Sequence, residues 1–160
     1  MEHPETAKEL FSKKYYCSQA VLAAFADELG MTREQALKVA ACFGGGMCKA
    51  EVCGACTGAL MALGLKYGMC KDGDYDSKER ANNYAVRFLD EFSEKNGSYI
   101  CRELLDCDIA TPEGKAYARA NGLFADICPK LVESAALIVG KLLNEQTTAV
   151  CTTAIKMQQT

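Results

Sequence analysis

The sequence predicts an all-α fold, a single compact domain of five to seven helices around a buried small-residue helix. Apolar residues recur at three- and four-residue spacing along most of the chain, and no alternating strand pattern of useful length is found. The segment that begins at Cys53 carries glycine or alanine at positions 54, 55, 58, 59 and 62, which is typical of a helix packed closely by its neighbours. A chain of 160 residues without a linker or repeat is long enough for one core, so residues 1–160 are predicted to form one helical domain.

The first three helices are placed by their breaks and caps. The N-terminal helix is predicted to break just before Cys17, and Ser18 is predicted to cap the second helix. Thr32 and Gln35 have the spacing of a capping box at the start of the third. The glycine run 44–46 is predicted to end that third helix.

The small-residue helix follows the glycines, and four further helical segments follow it. Asp76 or Ser77 is predicted to cap a long amphipathic helix. Shorter helices are predicted around Cys101 and after Pro112, a residue that suits a first helical position. The last helix begins at Cys128 and is apolar enough to be central to the fold.

Charge and hydropathy exclude several classes of partner. The net charge is −3 with a pI near 5.3, and the basic residues are scattered, so nucleic acid is not an expected partner. The segment 1–5 is polar and acidic and lacks the features of a secretory signal. The apolar runs after Cys17 and Cys53 are too short and too interrupted to cross a bilayer. No membrane partner is expected, and the predicted location is cytoplasmic.

Ten cysteines are the strongest anomaly in the composition. In a reducing compartment so many cysteines favour metal or redox chemistry over a framework of disulfides, although about half are expected to be ordinary buried side chains. The single histidine, His3, lies near the N-terminus. Histidine-containing zinc sites and haem attachment are therefore disfavoured.

Three of these cysteines share a predicted position at or just before the start of a helix: Cys17, Cys53 and Cys128. Cys101, near the start of a shorter helix, is a weaker example. The helix dipole and free N–H groups at such a position stabilise a thiolate and lower the pKa of the thiol. A thiolate is the form that binds metal and attacks disulfides. In a chain so rich in cysteine, the position of any single one of them can also be coincidence.

A second pattern lies within one short stretch. Cys48, Cys53 and Cys56 have the spacing of plant-type [2Fe–2S] ligands, with Cys42 or Cys70 available as a fourth. Those ligands occupy an extended loop in ferredoxins, whereas Cys53 and Cys56 are predicted to be helical. The spacing alone is therefore weak evidence for a site of that type.

The motif Cys53-Gly54-Ala55-Cys56 also has the spacing of a thiol–disulfide oxidoreductase. Such motifs normally follow a strand, and none is predicted here. Thiol–disulfide exchange through Cys53 and Cys56 remains the alternative function. A structural zinc site formed by four cysteines is a further alternative, as is a helical binding module whose cysteines are only buried.

Several motifs occur in order along the chain. They are Cys17-Ser18-Gln19-Ala20-Val21, Phe43-Gly44-Gly45-Gly46-Met47, Val52-Cys53-Gly54-Ala55 with Gly58-Ala59, Cys101 with Leu104, and Cys128 with Leu131-Val132. Taken together, these motifs resemble the C_GCAxxG_C_C family of redox-active proteins, over nearly the whole chain from Phe11 to Leu143. More distantly, the chain is similar to the iron–sulfur part of split-Soret cytochromes, although it has no haem motif.

The resemblance implies a shared set of thiols, namely Cys17, Cys53, Cys101 and Cys128. These four would hold an iron–sulfur cluster used for electron transfer or redox sensing, with zinc as the alternative metal. The cysteines outside the shared set leave open a larger metal site, and of these Cys48 and Cys56 are the expected additional ligands.

Glycines are expected to complete the site. Gly44, Gly45 and Gly46 would bring backbone N–H groups to the cofactor, and Gly54 would leave room for it. A redox partner protein is implied but not identified, and a homodimer is compatible with the small-residue helix faces.

Overall fold

The computed structural model describes residues 2–145. Cys151 lies outside the described residues. The helices are α1 (His3–Ser12), α2 (Cys17–Ala24), α3 (Arg33–Val39), α4 (Gly54–Tyr67), α5 (Tyr75–Asn96), α6 (Cys101–Leu104), α7 (Pro112–Ala120), α8 (Leu123–Asp126) and α9 (Cys128–Asn144).

The predicted all-α fold is confirmed. In the described part of the chain, seven of the helices have seven residues or more, and α6 and α8 are single turns of four residues. The β-structure among residues 2–145 is limited to one antiparallel bridge between Val52 and Ile100. None of the helices in this range is both long and apolar enough to span a membrane.

Helix α4 is the buried small-residue helix that the sequence predicts. It packs against α2, α5 and α9, and most of its residues from Gly54 to Leu63 are buried. A Cβ atom on Gly58 would lie 2.5 Å from the backbone oxygen of Ser18, closer than packed atoms approach. The missing side chain at Gly58 therefore sets how closely α2 and α4 approach.

Helix α9 is central, as predicted, and packs against α1, α4 and α5. Not every apolar side chain of α9 is buried, because Leu137 is 47% exposed. The buried positions of α9 follow a helical stripe that Leu137 does not join. They are Leu131, Val132, Ser134, Ala135, Ala136, Ile138, Val139, Leu142 and Leu143.

The caps agree with the sequence in one case and differ in another. Thr32 and Gln35 form the predicted capping box, with the Gln35 N–H 3.2 Å from the Thr32 hydroxyl. Helix α5 is capped by Asp74, whose carboxylate accepts from the Ser77 N–H at 3.2 Å. Asp76 and Ser77, the predicted caps, lie in its first turn.

Candidate metal centre

Four cysteines stand at the beginnings of four different helices. Cys17, Cys101 and Cys128 are the first residues of α2, α6 and α9, and Cys53 is the residue that precedes α4. This agrees with the positions predicted from sequence for all four. All four thiols line one cavity of about 1290 Å³.

The start of α2 lies two residues earlier than predicted. Tyr16 is extended, and its N–H donates to the side chain of Gln19 at 2.9 Å, so the helix begins at Cys17. Ser18, the predicted cap, is buried inside the helix. Its hydroxyl donates to the Ala40 carbonyl at 2.8 Å. This bond ties the end of α3 to the turn that carries Cys17.

The bridge between Val52 and Ile100 brings Cys53 and Cys101 together. The Cys53 N–H donates to the Tyr99 carbonyl at 2.8 Å, and the Cys101 N–H donates to the Glu51 carbonyl at 2.6 Å. Side chains alternate between the two faces of paired extended chains, so the residues that follow Val52 and Ile100 point to the same face. The two thiols thus reach the cavity from neighbouring strands of backbone.

Cys17 and Cys53 lie close together, and the interaction between their thiols affects the pKa of both. Gly54 makes this close approach sterically feasible. A Cβ atom on Gly54 would lie 2.6 Å from the Cys17 Sγ and 3.1 Å from the Ser18 nitrogen. The sulfur of Cys17 therefore occupies the space that a side chain at position 54 would need.

The glycine run forms a second wall of the site. The Gly45 N–H donates to the Cys17 sulfur. Gly46 has a φ of +63°, and a Cβ atom there would lie 2.4 Å from the Glu51 nitrogen and 2.9 Å from the Cys101 Cβ. Gly44 packs directly against the ring of Tyr16. The glycines thus bring backbone close to two of the four cysteines.

Beyond the glycines, the backbone remains left-handed at residues with side chains. Met47 and Cys48 have φ values of +56° and +60°, and Ala50 has a φ of +54°. Each such non-glycine residue costs about 1–2 kcal/mol relative to the right-handed conformation. No sequence pattern predicts this strained turn, because left-handed backbone is expected of glycine and not of methionine or alanine.

The thiols of the site are poor acids. Burial, followed by repulsion from Cys17 and Cys128, raises the pKa of Cys101 to about 12. Burial and repulsion from Cys17 likewise raise the pKa of Cys128 to about 12. The hydrogen bond that Cys17 donates to Cys53, together with burial, raises the pKa of Cys17 well above its usual value.

Cys53 is subject to opposing influences. The largest influence is the hydrogen bond that it accepts from Cys17, which lowers its pKa. Its interaction with Cys56 and its burial raise the pKa, and together they outweigh the first influence. The net result is a pKa well above the usual value. The prediction of low thiol pKa values at these helix starts is therefore wrong for the metal-free protein. Burial and mutual contact outweigh the helix dipole.

The remaining cysteines are distributed differently. Cys48 is exposed and lines the same cavity from the strained turn. Cys56 is fully buried within α4, where its sulfur accepts from the Cys53 thiol, and it does not line the cavity. Cys42 and Cys70 are exposed, and Cys107 is partly buried.

A single metal ion does not find a ready-made set of ligands in this arrangement. Among residues 2–145, no three side chains of histidine, cysteine, aspartate or glutamate are grouped closely enough to hold one ion. Cys17 is nevertheless within electrostatic reach of the other three, since it influences the pKa of Cys53, Cys101 and Cys128.

Comparison with known proteins gives one match. The model of the family described as "Putative redox-active protein (C_GCAxxG_C_C)" matches residues 15–142. No curated protein and no solved structure matches the chain. The family match includes Cys17, Cys53, Cys101 and Cys128 and covers well over half of the chain, so the protein belongs to the C_GCAxxG_C_C family of redox-active proteins.

Proposed function

We propose that this protein carries an iron–sulfur cluster held by Cys17, Cys53, Cys101 and Cys128, and that it transfers electrons or senses redox state. The observation that carries the proposal is the convergence of four helix starts, each bearing a cysteine, on one cavity. Cysteine thiolates are the ligands of such clusters. The family description, a redox-active protein, points to the same class of chemistry.

The electrostatics of the site favour a cationic occupant. Four thiolates in one buried site would repel one another strongly, and the raised pKa values of Cys101 and Cys128 reflect first the burial of these thiols and then repulsion from their neighbours. Iron bound to the sulfurs offsets the repulsion, because a bound cation reverses the local preference for the protonated thiol. The starts of α2, α4 and α9, the longer of these helices, would contribute in the same sense, because a helix N-terminus favours negative charge.

The chain would also tune such a centre. The N–H groups of Gly45, Ser18 and Ala55 already donate to the sulfurs of Cys17 and Cys53. Hydrogen bonds to ligand sulfur and the exclusion of water both shift the reduction potential of a cluster. The cluster would supply one-electron transfer when bound, and the chain would hold it, orient its ligands and control its exposure.

The two alternative functions have less support. Thiol–disulfide exchange needs a thiolate at neutral pH, whereas the pKa of Cys53 lies well above the usual value and Cys56 is fully buried. A structural zinc ion needs four sulfurs about 2.3 Å from one point. No three candidate ligand side chains in the described part of the chain are grouped for a single ion.

The proposal is tested by measuring iron, acid-labile sulfide and zinc per chain on anaerobically purified protein, with a visible spectrum before and after dithionite. We expect iron and sulfide together with a visible band that dithionite bleaches. Zinc alone would instead indicate a structural site. The absence of any metal would shift the assignment to thiol chemistry at Cys53 and Cys56.

Single serine substitutions then assign the ligands. Serine at Cys17, Cys53, Cys101 or Cys128 should remove or destabilise the cluster. Cys70→Ser is the matched control, because Cys70 is exposed and does not line the cavity. Unchanged iron content in all four variants would overturn the ligand assignment.

A further inference from the structure

The cavity over the four thiols is larger than a compact inorganic cluster requires. Its volume is about 1290 Å³. Pockets that bind small organic molecules typically measure roughly 300–1,000 Å³. The cavity therefore has room for an organic molecule in addition to a cluster.

The charges around the cavity oppose the charge of the chain. The chain has a net charge of −3, with 18 basic and 21 acidic residues. The cavity lining, in contrast, contains four basic side chains and one acidic one, a net excess of three positive charges. These side chains are Lys8, Lys14, Lys115, Arg119 and Glu9.

Part of this charge is already neutralised within the protein. Glu9 pairs with Lys13, one turn further along α1, so the only carboxylate of the lining is engaged elsewhere. Lys8 pairs with Glu133 of α9 at 3.2 Å. The other three basic side chains of the lining take no part in these two ion pairs.

Lys14, Lys115 and Arg119 have no carboxylate within ion-pair distance among residues 2–145. Lys115 and Arg119 are four residues apart on α7, so they lie on the same face of that helix. Lys14 approaches from the end of α1, with a left-handed φ of +73°. All three are exposed and stand at the solvent edge of the cavity.

The deeper part of the cavity is apolar. Buried or half-buried aliphatic and aromatic side chains separate the basic edge from the thiols, and several of them come from the segment between α6 and α8. The main members are Phe11, Leu104, Leu105, Ile109, Phe124 and Leu131. A ligand complementary to these surfaces has an apolar body and an anionic group.

We propose that the cavity binds a small organic anion, a carboxylate, sulfonate or phosphate ester with an apolar body. Its charge lies at Lys14, Lys115 and Arg119, and its apolar body reaches toward the four thiols. Binding of this anion does not depend on the proposed function.

The test uses a pair of dyes that share an apolar body and differ in charge. The anionic dye is 8-anilinonaphthalene-1-sulfonate, and the neutral one is N-phenyl-1-naphthylamine. Each is titrated by fluorescence into the full chain, and Kd is taken from the midpoint, because bound metal can quench the amplitude. Metal content is measured on the same sample.

Two double variants separate charge from fold. Lys115→Gln with Arg119→Gln should raise the Kd of the anionic dye roughly 2- to 30-fold, as expected for two exposed charge interactions, and leave that of the neutral dye unchanged. Lys78→Gln with Lys95→Gln is the matched control on α5, outside the cavity lining, and should change neither.

A third variant tests the cavity itself. Ala110 is exposed and lines the cavity, so Ala110→Trp should obstruct the cavity and weaken the binding of both dyes.

The inference would be overturned if the anionic dye bound the wild type and the α7 double variant with equal affinity. It would also be overturned if the α5 control lost as much affinity as the α7 variant. Charge-dependent binding by protein that carries no iron would keep the inference and contradict the proposed function. Iron-loaded protein whose dye binding does not depend on charge would contradict the inference and keep the proposed function.

Discussion

Gly54 offers the sharpest test of how the thiol site is built. In Gly54→Ala the new methyl carbon would lie 2.6 Å from the Cys17 Sγ, 3.1 Å from the Ser18 nitrogen and 3.2 Å from the Gly44 Cα. Atoms in contact normally lie about 3.5–4.0 Å apart, so the nearest contact is short by about 1 Å. Backbone blocks two of the three sides, and the Cys17 sulfur is the group free to move.

Two consequences of Gly54→Ala can be measured. Overpacking of this kind costs about 1–3 kcal/mol of the free energy of unfolding. A functional site also tolerates displacements of only about 0.5 Å, so moving the Cys17 sulfur by about twice that distance should reduce the iron content by more than half. Urea unfolding and metal analysis, both anaerobic, give the two values.

Gly64 provides a matched control on the same helix. It is an exposed residue of α4, and a Cβ atom there would meet nothing within 4 Å. Gly64→Ala should therefore raise the free energy of unfolding by about 0.5–1 kcal/mol through the loss of glycine's backbone freedom, with iron unchanged. Equal stability and equal iron in Gly54→Ala and the wild type would refute the steric reasoning.

Three further predictions follow from the same geometry. Gly46→Ala should destabilise the protein by more than Gly30→Ala in urea unfolding, because both have positive φ but only Gly46 lacks space for a methyl group; equal losses would contradict this. Burial raises the pKa of Tyr67 to about 12, above its unfolded value of 10, so this side chain contributes stability that is lost between about pH 10 and pH 12. Tyr67→Phe should remove that step from the pH dependence of the free energy of unfolding, and its persistence would exclude Tyr67 as the source. In folded, metal-free protein, the rate at which Cys101 and Cys128 react with iodoacetamide should rise about tenfold per pH unit up to about pH 11. Mass spectrometry measures this rate. Rapid labelling at pH 8 would show that the pKa values of these two thiols are not raised.

Local patterns in the sequence were enough to find most of the helices and to place four cysteines near helix starts. Cys17, Cys53, Cys101 and Cys128 each precede or open an apolar, helix-spaced segment, and a helix start depends on residues close in sequence. The small-residue character of α4 also predicted its burial. These features need no knowledge of how the chain folds back on itself.

The convergence of the four thiols depends on contacts between distant residues, which periodicity does not contain. The bridge between Val52 and Ile100 joins segments almost fifty residues apart and is too short to leave an alternating pattern. The bond from Ser18 to the Ala40 carbonyl looks, in sequence, like a helix cap. The resemblance to a family, and not the spacing of residues, pointed to Cys101 as a partner of the other thiols.

The error in the predicted pKa values has the same origin. The helix dipole is a local property and favours a thiolate at Cys17, Cys53 and Cys128. Burial and the proximity of the other thiols are properties of the folded chain, and they act in the opposite direction and more strongly. A prediction from the helix dipole alone therefore gives the wrong direction for the pKa shift.

These opposing effects describe a site that favours neutral thiols when metal-free and would still hold the proposed cluster. In the absence of a cation, the buried thiols keep their protons, and the helix dipoles are insufficient to remove them. A bound cation removes the repulsion, and the same dipoles and N–H groups then stabilise the thiolates. Because the four ligands come from helices that begin between residues 17 and 128, the site exists only once nearly the whole chain has folded. Metal binding at such a site releases protons and adds its free energy to that of folding, so the pH dependence of one should follow the pH dependence of the other.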